Sequence, residues 1–421
     1  MNSVVERCHC SRCWAPEPAP EVQLGAPPSI LSVLGPDLLA QVLRRAAEGQ
    51  RQNHFNPSRV WFLVAVCRHL RLLVAQILPD RLPLEVYAHR APLATFQHNL
   101  FRSLPYFAIT KLVVHIELRD ARREQYDFAF ALGRCTRLAE LQLRTALSPG
   151  LMQALRSVGH LETLTTLNLW PRSMSEAEQM IGFVIMCAQM SNLTSLAIWE
   201  ATFTDGDMLG QALQQLPRLR SLRFHDMRIS ATGLRNAVVA ALPGLSTLTH
   251  LHLGLLFELK EEERPDAAVA ASMTEEVFET LVRLTALQQL ELTNLDTMGQ
   301  TPPFYALSAL TALRELSMRG CEFLDDAAHQ LAVVLPACTS LRRLNLSFNQ
   351  IELDGVYSLV QALPQCTHLR QLDLSDNSFR AVPPELLEHI HAADTHVDYG
   401  WVATPEYSPR GETAAEPQDA V

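Results

Sequence analysis

The chain has 421 residues, 48% of them hydrophobic, and a formal net charge of -10 at pH 7. That apolar share suffices for a large core or a continuous solenoid core. The acidic balance and the lack of a Lys/Arg run argue against a nucleic-acid partner. No apolar stretch is long enough to span a bilayer, the nearest being 61–66, stopped by Arg68.

Residues 1–28 open with Cys8, His9, Cys10 and Cys13 and continue through Pro16, Pro18, Pro20, Pro27 and Pro28. A zinc site needs four ligands, usually as two separated pairs, and no second pair follows. The expectation is a disordered segment without metal. Glu6 and Arg7 stand where a signal peptide would need apolar residues. The other six cysteines, Cys67, Cys135, Cys187, Cys321, Cys338 and Cys366, lie singly among apolar residues. They read as reduced thiols of a cytoplasmic protein.

Residues 29–75 have their own pattern. It runs through Leu34, Gly35, Pro36, Asp37, Leu38 and Leu39 to Val42 and Leu43. After a polar linker, Asn56 is an expected N-cap with Pro57 at the first helical position. Val60, Leu63, Val64 and Cys67 then share a face, and Val66-Cys67-Arg68 closes the segment. This order resembles an F-box. Gly35 stands where that family has Pro, with Pro36 one place on, and Leu70 replaces its usual Trp. The resemblance implies docking on a Skp adaptor, and through it a cullin, with Leu34, Pro36, Leu38, Leu39, Val42, Leu43, Val60 and Cys67 as the adaptor-binding residues. Two other readings stay open. An amphipathic cap would serve any solenoid, and Leu63 with Cys67 meets the spacing of an elongin-binding box, although Arg71 falls where that box is apolar.

From there an internal repeat runs along the chain, an apolar residue followed by others three and five places later. The frames are Val113-Ile116-Leu118, Leu138-Leu141-Leu143, Leu164-Leu167-Leu169, Leu193-Leu196-Ile198 and Leu219-Leu222-Phe224. They continue as Leu248-Leu251-Leu253, Leu287-Leu290-Leu292, Leu313-Leu316-Met318, Leu341-Leu344-Leu346 and Leu369-Leu372-Leu374. Spacing is near-constant and breaks once, between Leu248 and Leu287. Residues two apart on a strand share a face, so the last two of each frame point inward. Helical stripes follow, Ala328, Leu331, Ala332 and Leu335 in one repeat and Val356, Leu359, Val360 and Leu363 in the next. Pro217, Pro243, Pro336 and Pro364 mark helix ends. No unit can bury its apolar face alone, but stacked units can.

Over about residues 90–390 this pattern resembles the ribonuclease-inhibitor-like leucine-rich repeats. That family places Asn or Cys at the ninth position, kept here at Cys321, Asn349 and Asn377 and replaced earlier by Ala121, Ala146, Arg172, Ala201, Met227, Leu256 or Leu295. The resemblance implies an α/β solenoid over 76–402, a horseshoe with parallel strands inside and helices outside, behind a small all-α F-box-like segment. Glu258, Lys260, Glu261, Glu262, Glu263 and Arg264, in the long step, read as a solvated loop. A final helix over 386–390 and a capping strand over 396–399 are expected, then a disordered tail over 403–421.

No Gly-rich phosphate loop, Gly-x-Ser-x-Gly or His-Glu-x-x-His motif occurs, so the chain reads as a binding protein without cofactor or catalytic residues. Strand residues alternating with the inward apolar ones face the concave side. Trp170 and Trp199 hold equivalent places in neighbouring repeats and should lie side by side. With Arg223, His225, His250, His252 and Arg319 they form the expected partner-binding set, because Trp and Arg dominate interface anchors; the other reading is that the tryptophans fold back onto loops and cap the ascending edge. The combined resemblance, to eukaryotic F-box leucine-rich repeat proteins and to GALA-type bacterial effectors, implies a monomeric substrate receptor of a cullin ubiquitin ligase. A stand-alone scaffold or inhibitor is the alternative.

Overall fold

The structure is a computed structural model. It describes residues 84–87, 111–115, 128–129, 132–133, 135–144, 147–156, 161–171, 173–174, 176–255, 275–294, 301–392 and 395–400. The expected adaptor-binding residues Leu34, Pro36, Leu38, Leu39, Val42, Leu43, Val60 and Cys67, the Cys8–Cys13 cluster, the acidic run from Glu258 to Arg264 and residues 403–421 lie outside the described residues.

A parallel ladder organises the described chain. Its rungs are β1 (Leu84–Tyr87), β2 (Lys111–His115), β3 (Glu140–Leu143), β4 (Thr166–Leu169), β6 (Ser195–Trp199) and β8 (Ser221–Ile229). They continue as β9 (His250–Leu255), β10 (Gln289–Thr293), β11 (Glu315–Ser317), β12 (Arg343–Asn345), β13 (Gln371–Asp373) and β14 (His396–Asp398). Each pairs with the rungs before and after it and the two end rungs do not meet, so the sheet is open; β8 also pairs with β7 off this path. Two short strands, β5 (Ser173–Met174) and β7 (Thr202–Phe203), lie off this path.

The register is that of the repeat. Leu141, Leu167, Leu196, Leu222, Leu251, Leu290, Leu316, Leu344 and Leu372 face one another in sequence, and every one is buried. Stacking places a leucine on a leucine at each step, which is why one spacing propagates along the chain. The first frame needs correction. Leu112, not Ile116, pairs with Leu141, and Val114 with Leu143. The run from Leu112 to Leu118 alternates apolar and polar in more than one phase, and pairing with β3 selects the earlier one. Upstream, β1 extends the ladder by one rung.

Helices return the chain between rungs: α1 (Pro149–Arg156), α2 (Ala177–Ala188), α3 (Gly206–Gln214), α4 (Ala231–Ala241), α5 (275–281), α6 (Asp325–Val334), α7 (Leu353–Ala362) and α8 (Pro384–Ala392). Asp205 and Ser230 cap α3 and α4 by accepting from Met208 N and Gly233 N, each at 3.0 Å. Pro243, Pro336 and Pro364 sit in 3₁₀ turns that finish α4, α6 and α7, where a missing N–H costs nothing. Helices pack about 8–10 Å apart and paired strands about 4.8 Å apart, so the strand layer is the inner, concave side. After β10 the helix is replaced by a 3₁₀ segment, Phe304–Ala309. Phe278, Phe304 and Phe323 fill the core there edge to face, with centroids 6.1 and 5.6 Å apart. No described helix is long and apolar enough to cross a membrane. The expected terminal elements are present as α8 and β14, the helix starting at Pro384.

Candidate functional site: an aromatic ladder on the strand face

The residue leaving each strand after its second inward apolar position projects from the open face of the sheet. In the rungs β3, β4, β6 and β8 this residue is Arg144, Trp170, Trp199 and His225. Parallel pairing brings them into one column. The Arg144 guanidinium lies 4.3 Å above the Trp170 ring. Trp170 stacks on Trp199 at 5.3 Å, with planes only 4° apart. Trp199 stacks on His225 at 3.6 Å and 11°, and His225 meets His252 at 4.1 Å, tilted by 60°. Each aromatic pair contributes about 0.5–1.5 kcal/mol beyond its area burial, and the Arg144 cap about 0.5–1 kcal/mol. The column is therefore largely fixed before a partner arrives. The Trp199 indole N–H is buried and has no hydrogen-bond partner among the described residues.

His252 comes from a different column, and Gly254 is the reason. Gly254 holds the slot that Trp170, Trp199 and His225 fill in their own rungs. A Cβ there would stand 2.8 Å from His252 Nε2 and 3.0 Å from the Phe224 carbonyl oxygen. With no side chain in the slot, the His252 ring leans over and continues the stack. Its Nδ1 then meets Glu291 Oε2 at 3.0 Å, which anchors the end of the column.

Electrostatics follow from this packing. Burial, the His252 ring and the Arg223 cation together push the His225 imidazole down to about 4 from 6.5, against smaller opposing pulls from Glu291 and Asp226. It is neutral at physiological pH, as a stacked ring between aromatics should be. Burial and Arg223 also lower His250, with Glu315 opposing. The hydrogen bond from His252 holds Glu291 below the usual carboxylate range despite its burial.

The sequence-derived partner set thus divides. Trp170, Trp199, His225 and His252 form one continuous stack. Arg223 and His250 lie beside it, Arg223 paired across the sheet with Ala197 and His252. Arg319 is not part of it. Two rungs past β9, its guanidinium sits 4.1 Å over the Phe348 ring. Phe348 is 50% exposed and has φ +59°, the left-handed region that bulky side chains avoid. Equivalent corners use Glu200, Asp226, Asn294, Gly320 and Asp376. Sequence reasoning missed Phe348, Gly254 and Glu291. The available signal for Phe348 was an aromatic residue immediately before the ninth-position Asn349.

The described thiols are not candidates for chemistry. Cys135, Cys187, Cys321, Cys338 and Cys366 form no disulfide. Burial pushes Cys135 up to about 12 and Cys338 and Cys366 up to about 11, and raises Cys187 also, which keeps them protonated.

The family model described as Leucine Rich repeat matches residues 337–360 and 365–381. No curated protein matches the sequence. Among solved structures, an internalin of Listeria monocytogenes is similar at 15% identity and a TM-score of 0.45, over 86% of this chain and 94% of that one. A leucine-rich repeat protein of Leptospira interrogans is similar at 15% identity and 0.42, over 87% and 88%. Internalin C2 of Listeria monocytogenes is similar at 19% identity and 0.37, over 57% and 83%. The register of the ladder carries the pattern of the two matched repeats back through β4: the fold is an open α/β solenoid of leucine-rich-repeat type.

Proposed function

We propose that this chain is a protein–protein interaction module whose partner docks on the strand face at the Trp170–Trp199–His225–His252 ladder. The observation that carries this reading is the stack itself. A solvent-side column of large, pre-ordered rings is costly to keep on a monomer surface and loses little entropy when a partner covers it. Tryptophan and arginine at such places supply most of the affinity of typical interfaces.

The finer reading is that the partner is a substrate, and that residues 29–75 are an F-box that links this solenoid to a Skp adaptor and a cullin. The chain then does no chemistry. It raises the concentration of substrate lysines near a charged ubiquitin-conjugating enzyme, acting as a cytoplasmic monomer. Two affinity experiments test the two levels. In a pull-down, Trp170→Ala with Trp199→Ala should abolish partner capture while leaving the fold intact by circular dichroism; undiminished capture would remove the ladder as the docking site. In co-purification with the Skp adaptor and cullin, wild type should be retained and Leu38→Ala with Leu39→Ala lost. Failure of the wild type to be retained leaves a stand-alone scaffold or inhibitor with a helical cap.

A further inference from the structure

The ladder borders a floor with an exposed arginine, Arg223, at its centre. Between the inward apolar residues, β4, β6, β8 and β9 carry Thr166, Asn168, Ser195, Ala197, Ser221, Arg223, His250 and His252, none of them a carboxylate, while Asp226 stands at the corner past His225. Three further described carboxylates stand at the margins of this area in ion pairs. Glu140 pairs with Lys111 at 2.6 Å, Glu291 with His252 at 3.0 Å, and Glu315 with Arg343. Arg223 lies in the middle, exposed, without an ion-pair partner among the described residues. On its β6 side are short side chains. Ala197, directly across the sheet, is 6% exposed, and Ser195 and Ser221 pair with each other beside it. The Trp199–His225 stack bounds this floor on one side.

Resting on the interaction reading above, we propose that the occupant of this floor is an acidic segment of a protein partner, one carboxylate on Arg223 and an adjoining apolar or aromatic side chain over Ala197 against the Trp199 edge. The complementarity is local. A chain of net charge -10 repels acidic polymers in general, so attraction must come from a confined patch. A guanidinium without an ion pair among the described residues, acting on Glu291 through its charge alone, keeps its donors for a bidentate pair. The low floor leaves space for the side chain next to that carboxylate, and an aromatic one meets an indole wall.

The experiment is a tryptophan-fluorescence titration of the full chain with a random Glu–Tyr copolymer, run beside a Lys–Tyr copolymer and a single-stranded oligonucleotide. Binding of the Glu–Tyr copolymer alone is expected. Arg223→Glu should weaken it by about tenfold or more, the scale of a lost charge-assisted hydrogen bond. Arg223→Lys should recover part of it, and Arg380→Glu, at an exposed arginine beyond β13, should leave it unchanged. Equal binding of the Lys–Tyr copolymer, tighter binding of the oligonucleotide, absence of Glu–Tyr binding or indifference to Arg223→Glu each overturns the proposal. Loss of partner capture in the double tryptophan variant with full capture by Arg223→Glu would keep the interaction reading and discard this one.

Discussion

The repeats on β6 and β8 and those on β11, β12 and β13 share a strand register but close their corners differently. In the later repeats a side chain does it. Asn349 Oδ1 accepts from Cys321 N at 2.9 Å and Phe323 N at 3.2 Å, while its Nδ2 donates to the carbonyls of Met318, Leu346 and Ser347. Asn377 repeats this one step on, accepting from Ile351 N and donating to Leu346, Leu374 and Ser375. The earlier repeats put Ala201 and Met227 in that slot, and both are buried. There the backbone closes its own corner. β5 pairs with β7 and β7 with the end of β8, and Arg228 N donates to the Ala201 carbonyl at 2.8 Å. Backbone pairing does not depend on side-chain identity, so these repeats lose the consensus letter and keep the fold.

The largest expected effect breaks the side-chain corner. Asn349→Ala strands the Cys321 and Phe323 N–H groups in the core, so a loss of about 3 kcal/mol is expected in urea unfolding. A loss below about 1 kcal/mol would mean that the later corners also close by backbone pairing. An intermediate effect separates the halves by pH. The folded His225 is depressed to about 4 from 6.5, so the unfolded chain takes up its proton first as pH falls. Stability should therefore be full above about 6.5 and fall progressively toward about 4. His225→Phe, which keeps a ring in the stack, should flatten that fall in urea midpoints measured across the window. The smallest effect sharpens the corner comparison. Phe348→Asn relieves about 1–2 kcal/mol of left-handed strain and forfeits about 0.5–1 kcal/mol of contact with Arg319. A slight rise in melting temperature is expected, and a fall would show that the aromatic corner is structural.

The strands were legible because each rung repeats a leucine that must meet a leucine. The stripe Ala328, Leu331, Ala332 and Leu335 located α6 and its 3₁₀ extension for the same reason. The pairing of Trp170 with Trp199 was legible too, since equal places in parallel rungs are adjacent in space. The role of His252 was not. Sequence columns assign it beside Arg223, and only the hole at Gly254 lets its ring cross. Phe348 escaped because the left-handed corner belongs to neither the strand period nor the helix period. The first frame slipped because the segment from Leu112 to Leu118 offers two phases, and only pairing with β3 chooses between them.

The stack of rings has a consequence for how the molecule comes apart. In a solenoid each unit touches only its neighbours, so resistance to unravelling is a sum of unit terms and boundary terms. From Arg144 to Glu291 every boundary carries an extra contact through this one column. Those boundaries are strengthened together, and the rungs from β3 to β10 are tied into a single cooperative block. The surface offered to a partner is then also the seam that keeps the less regular half of the protein folding as one.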